Sequence, residues 1–159
     1  MTAEAMSPEF SRLVSKVTAW LEGRPLTRAL ADDLHDAFPP GGEVFEALAA
    51  CCLKGISEGW LAARGEDPLR WGRILKAGPE THGFSVDVVR MTDVAGPHHA
   101  HPQGEIDMIV PLDSAARFDG RARGWLVYEP GSSHSPTVTQ GCAAILYLLP
   151  GGEIRFSAG

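Results

Sequence analysis

The chain has 159 residues and a mass of 17.0 kDa, with 44% apolar and 21% charged residues. That is the composition of one globular domain, or one domain with a small appendage, able to bury a core. Fourteen Lys and Arg stand against 20 Asp and Glu, for a net charge of -6, which argues against nucleic acid or an anionic membrane as partner. No apolar run approaches the roughly 18 residues of a membrane span. Glu4, Glu9, Arg12 and Lys16 interrupt the first 20 residues, so these do not read as a signal peptide. Cys51, Cys52 and Cys142 make an odd number without a CxxC pair, so the expectation is free thiols in a reducing cytoplasm.

Residues 1–64 read as a helical N-terminal region. Phe10, Leu13, Val14, Val17, Trp20 and Leu21 fall on one helical stripe, with Ser7 as N-cap and Pro8 in the first turn. Gly23 and Pro25 end that helix. A second, short helix carries Leu26, Ala29, Leu30, Leu34 and Phe38, and is stopped by Pro39-Pro40-Gly41-Gly42. His35 falls on its polar side and reads as solvated. A third helix is expected from about Glu43 to Ala63, with Phe45, Leu48, Ala49, Cys52, Ile56 and Trp60 inward. Trp20, Trp60 and the Cys51-Cys52 face are apolar enough to bury against the second half or a partner subunit.

Residues 65–81 are punctuated by Gly65, Pro68, Gly72, Gly78 and Pro79, and read as a connector with one short turn or strand near Gly72 to Ala77. Residues 82–159 read as a β domain. Strands are expected at Phe84 to Met91, Glu105 to Leu112, Gly124 to Tyr128 and Cys142 to Leu149, with a last hairpin closed by Glu153 to Phe156. Short strands between Gly and Pro turns suggest a barrel or sandwich.

Four of the six histidines lie between 98 and 134. In an extended strand His99 and His101 point the same way. Pro102-Gln103-Gly104 is a turn that brings Glu105 back beside them, and the glycine turn at Gly131 leads into His134. Three imidazoles and a carboxylate form a transition-metal site that leaves room for water or substrate. The ligand set suits Fe or Mn first, with Zn, Ni or Co as alternatives. His98 falls on the opposite face. Asp107, two residues after Glu105, faces inward with it. It serves as a general base or as a partner to a ligand histidine, or else is a solvated strand carboxylate. Tyr128 either donates a proton to a leaving oxygen or packs.

The spacing His99-x-His101-x-x-x-Glu105, then Gly124 with five residues to Pro130 and Gly131-x-x-His134, resembles the two motifs of the cupin superfamily. Leu112 stands where cupins usually have glycine, and Pro130-Gly131 is tighter than the usual Pro-x-Gly. The resemblance implies an α+β fold: an N-terminal helical segment packed on a small antiparallel cupin-type β-barrel (jelly-roll). It implies His99, His101, Glu105 and His134 as metal ligands.

A narrower resemblance lies in Gly83-Phe84-Ser85-Val86-Asp87, His101 to Asp107, Gly131 to Thr137 and Tyr147 to Gly152. These stretches resemble the hydroxylaminobenzoate lyase family of bacterial nitroaromatic degradation. That family converts 4-hydroxylaminobenzoate and water into 3,4-dihydroxybenzoate and ammonia, with no net redox change. For such a small aromatic carboxylate, Arg90 is the candidate clamp, ahead of Arg121 and Arg123, and Trp125 the candidate stacking surface, with Trp71 and Phe84 as further aromatics. A homodimer is the expected assembly. Two other functions fit the same ligands: another cupin enzyme, such as a dioxygenase or carbon–sulfur lyase, and a cupin that binds a small molecule without turnover.

Overall fold

A computed structural model describes residues 6–157. Residues 1–5, with Glu4, and residues 158–159 lie outside the described part.

Three helices open the chain: α1 (Pro8–Leu21), α2 (Arg28–Ala37) and α3 (Glu43–Glu58). Ser7 caps α1, its side chain accepting from Phe10 N at 3.3 Å. The third helix stops five residues earlier than its apolar pattern suggests. Gly59 takes φ 87° and its N–H returns to Gly55 and Ile56 carbonyls, a left-handed stop that only glycine adopts cheaply. Trp60, Leu61 and Ala62 remain buried beyond that stop, which is why their apolar run mimicked more helix.

Ten strands follow: β1 (Arg64–Glu66), β2 (Leu69–Leu75), β3 (Phe84–Ala95), β4 (His99–His101), β5 (Glu105–Pro111), β6 (Arg117–Phe118), β7 (Gly124–Tyr128), β8 (Ser132–His134), β9 (Thr137–Pro150) and β10 (Arg155–Phe156). The larger sheet has the order β1-β2-β3-β9-β5-β7, with β6 on β9; the smaller has the order β10-β4-β8. All pairings are antiparallel. The stretch expected as a connector therefore contributes two strands of the larger sheet. The expected last hairpin does not form, because Pro150-Gly151-Gly152 sends β10 to pair with β4 instead of back along β9. The result is an α+β jelly-roll of two facing sheets rather than a barrel closed by hydrogen bonds.

Alternation along the strands divides the larger sheet into two chemistries. One face carries Val86, Val88, Ile106, Met108, Val127, Leu146 and Leu148 and packs in one core with the helices. The other carries Val89, Met91, Ile109, Ile145 and Tyr147 in a second core, and on β5 it carries Glu105 and Asp107. The helices are thus the outer backing of the sheet, and the chemistry lies on its inner face.

Polar ties fix the helices to that backing. The Trp125 ring sits edge-on to Phe45 at 5.7 Å, and its Nε1 donates to Phe38 O at 2.9 Å. Arg123 pairs with Glu46 at 2.7 Å. His35 is not solvated as its helical position suggests: its Nε2 accepts from Trp125 N at 3.1 Å. His82, at the turn before β3, bonds Thr18 of α1 through Nδ1 at 3.0 Å. The face expected at a subunit contact is covered within the chain: Cys51, Cys52 and Trp60 are buried in the helix–sheet core, and Trp20 packs on Phe38.

Candidate metal centre

His99 and His101 leave β4 toward the same side because they are two residues apart in a strand. Gly104, at φ 91°, makes the turn into β5, where an added Cβ would strike Tyr128 O at 2.8 Å. Glu105 then heads β5. His134 ends β8 directly opposite His99 in the ladder. Leu112, in the place of the usual cupin glycine, is an exposed turn residue whose N–H donates to Cys142 O at 2.9 Å. Gly131 keeps φ 84°. Neither departure disturbs a ligand: one ligand atom from each of His99, His101, Glu105 and His134 lies within 4.8 Å of the other three.

The outer nitrogen of each ring is held. His99 Nδ1 donates to Pro97 O at 3.3 Å, and His134 Nδ1 meets Asp119 Oδ2 at 2.6 Å. His101 Nδ1 bonds Ser132 Oγ at 3.0 Å. A carbonyl or carboxylate accepts only, so Nδ1 carries a proton in His99 and His134, and their Nε2 atoms face each other inward at 3.1 Å. Asp119 also takes Tyr128 Oη and Thr137 N, the latter at 2.9 Å.

Three of the inner atoms, His101 Nε2 and both Glu105 oxygens, lack partners among the described residues. His99, His101 and Glu105 are at most 2% exposed. Glu105 carboxylate oxygens lie 3.3–3.5 Å from the three Nε2 atoms, yet neither oxygen makes a hydrogen bond of acceptable geometry, and His101 Nε2 is also unpartnered. Buried donors and acceptors are normally paired, so this cluster is arranged for something that sits between its atoms. The electrostatics agree. Burial works against the Glu105 charge, but His101, His134 and His99 hold its carboxyl well below the ordinary range. Burial also lowers the His134 pKa, but Asp119 and Glu105 outweigh it and push it up to about 9. The site draws positive charge to its centre, and a nitrogen-rich set with one carboxylate fits a first-row transition metal.

Asp107 is buried beside this cluster, both its oxygens unpartnered. Burial first, and then the Glu105 charge, push its carboxyl well above the usual carboxylate range. Tyr128 lies over the ligands, its ring 4.4 Å from His134 and 5.3 Å from His101. Burial and the Asp119 carboxylate raise its phenol.

A cavity of about 940 Å³ opens from the centre. His99 lines it together with Trp71, Arg73, Asp87, Val89 and Tyr147. Two residues expected at a substrate site are not there. Arg90 lies on the opposite face of β3 from Asp87 and Val89, and pairs with Asp67 at 2.8 Å. Trp125 faces the helices and is buried in their core, as is Phe84. Trp71 does reach the cavity and is 46% exposed. Asp119, Ser132 and Arg73 escape notice in the sequence. Asp119-Gly120 reads as an exposed turn, and nothing local ties it to His134.

Two facing antiparallel sheets, with three imidazoles and a carboxylate converging on one point between them, define a cupin with a metal-site arrangement. The sequence model of the family described as PnbB, 4-hydroxylaminobenzoate lyase, matches residues 12–156. The chain belongs to this family. A 4-hydroxylaminobenzoate lyase of Nocardioides sp. (strain LMS-CY) is 35% identical over 145 residues, 86% of each chain. One of Pseudomonas putida is 30% identical over 141 residues, 77% of this chain and 80% of the relative. Among solved structures, an RmlC-like cupin protein from Ralstonia eutropha is 13% identical with a TM-score of 0.43, over 60% of this chain and 64% of that one. A chain from the crystal structures of the DMSP lyases RdDddP and RnDddQII is 14% identical with the same TM-score of 0.43, over 94% of this chain and 98% of that one.

Proposed function

We propose that this protein is a metal-dependent lyase that converts 4-hydroxylaminobenzoate and water into 3,4-dihydroxybenzoate and ammonia. The observation that carries this reading is the His99-His101-Glu105-His134 centre opening onto a largely apolar cavity, in a chain of this family. The overall change places hydroxyls on two ring carbons, one in place of the nitrogen group and one in place of hydrogen, and releases ammonia, so atoms and electrons balance without flavin, nicotinamide or dioxygen.

A divalent metal on the four ligands, Fe or Mn in first place, supplies Lewis acidity toward the N–O group and toward water. The protein supplies orientation and protons. Pro97 O, Ser132 and Asp119 fix the three rings. Asp107, buried beside the centre, is the proposed proton donor as the N–O bond breaks and the acceptor of a proton from water. Tyr128, held by Asp119, is the second group able to donate toward a leaving oxygen.

The test is ammonia release from 4-hydroxylaminobenzoate under anaerobic conditions, by protein of measured metal content. One ammonia and one 3,4-dihydroxybenzoate per substrate is the expected result. No ammonia from fully metallated protein would remove the substrate assignment, and turnover only in the presence of oxygen would favour a dioxygenase.

A further inference from the structure

The cavity carries more positive charge than the chain that builds it. Two guanidinium groups, Arg64 and Arg73, line it against a single carboxylate, Asp87, in a protein of net charge -6. Arg64 is exposed and has no carboxylate partner among the described residues. Arg73 is held on one edge: Nε donates to Asp87 Oδ1 at 2.8 Å, and Nη2 to Asp87 Oδ2 and Gly152 O, both at 3.3 Å. Its Nη1 makes no hydrogen bond among the described residues. A guanidinium so anchored keeps donors in a fixed plane for a second anion.

Register sets where these groups lie. Arg73, Asp87, Tyr147 and Asp107 are consecutive ladder partners on β2, β3, β9 and β5. Three strand spacings, about 14 Å of backbone, separate Arg73 from Asp107 beside the metal centre. Arg73 lines the cavity, and Asp107 is buried on the same face of the sheet. Trp71, Val89, Tyr147 and the ligand histidine His99 line the same cavity as Arg73.

We propose that Arg73, with Arg64 beside it, is the carboxylate-recognition end of this cavity, selecting an aryl acid whose opposite ring position points at the metal centre. This rests on the lyase reading for the identity of the reacting group. Arg73 is a specificity-determining residue here, and the guanidinium of Arg90, turned away on the other face, has no part in it.

The experiment compares two unreactive probes, 4-hydroxybenzoate and the neutral 4-hydroxybenzamide, by calorimetric titration of the metallated protein. The wild type should bind the acid about tenfold or more tightly than the amide, the share of a charge-assisted pair. Arg73→Met should erase that preference while leaving amide affinity unchanged, and Arg90→Met should keep it. Arg73→Lys, which retains a charge opposite Asp87, should show a reduced preference and serves as the folded variant if Arg73→Met does not fold. A preference unchanged in both Arg73 variants would overturn the proposal. So would equal loss of both probes, or a wild type that binds them equally or not at all. If the acid preference depends on Arg73 but no ammonia is released from 4-hydroxylaminobenzoate, the lyase reading fails and the carboxylate site stands.

Discussion

Asp119 shows how much of a metal centre can depend on a residue that is not a ligand. Its carboxylate gathers His134 Nδ1, Tyr128 Oη and Thr137 N, so it sets both the tautomer of one ligand and the position of a phenol above two. Burial opposes its charge, and these hydrogen bonds hold its carboxyl below the usual range all the same. Replacing such a partner costs metal affinity rather than fold. Asp119→Asn should weaken metal binding by about 10- to 100-fold in a competitive chelator titration, with the helical circular dichroism unchanged. Asp107→Asn should behave in the opposite way. Metal content should stay at the wild-type level while kcat falls by about 10² to 10⁴, the range for a removed proton-transfer group. The four ligands were legible in the sequence because strand period and two glycine turns bring them together from nearby positions. Asp119 was not, because its link to His134 runs through space, and an Asp-Gly pair reads as a turn whatever it touches.

At the level of elements, the third helix and the first two strands show where sequence patterns mislead. Apolar Trp60 to Ala62 prolongs a helical pattern past Gly59, though these residues are buried as the lead into β1. The glycines and prolines of residues 65–81 resemble a linker, yet β2 pairs with β3 and brings Arg73 and Trp71 to the cavity. Arg90 was favoured because it precedes the histidines in sequence, but it sits on the wrong face of its strand, a distinction of one residue. Trp125 carries the same lesson and a direct check. It ties β7 to the helices through Phe38 O and His35. Trp125→Phe should cost about 1–3 kcal/mol by leaving Phe38 O without its buried donor, read as a lower denaturant midpoint, with KM unchanged.

The larger sheet joins two cores, and the inner face holds the unpartnered buried atoms of His101, Glu105 and Asp107. A ligand that binds the folded state alone stabilises it by mass action, about 2.7 kcal/mol at a free concentration 100 times Kd. Chelation should therefore lower the melting temperature, and readdition of Fe or Mn should restore it in a concentration-dependent way. In the Asp119→Asn variant the same recovery should need more metal. Among the described residues no helix is long and apolar enough to cross a membrane. The division into a helical first part and a strand-rich second part followed from periodicity, and the packing of one on the other from the cupin resemblance. The open pair of sheets did not, since β10 joins β4 across a long sequence gap.

The sheet order has a bearing on how the chain is made. β9 lies between β3 and β5, which do not pair with each other, so the last long strand to be synthesised is the middle of the larger sheet. Until residues 137–150 leave the ribosome, the β2–β3 and β5–β7 pairs each expose an unsatisfied edge, and the inner core has no floor. A nascent chain halted near Pro136 has all four metal ligands but no continuous sheet to fix Glu105 against the histidines. Assembly of the centre thereby waits on residues 137–150.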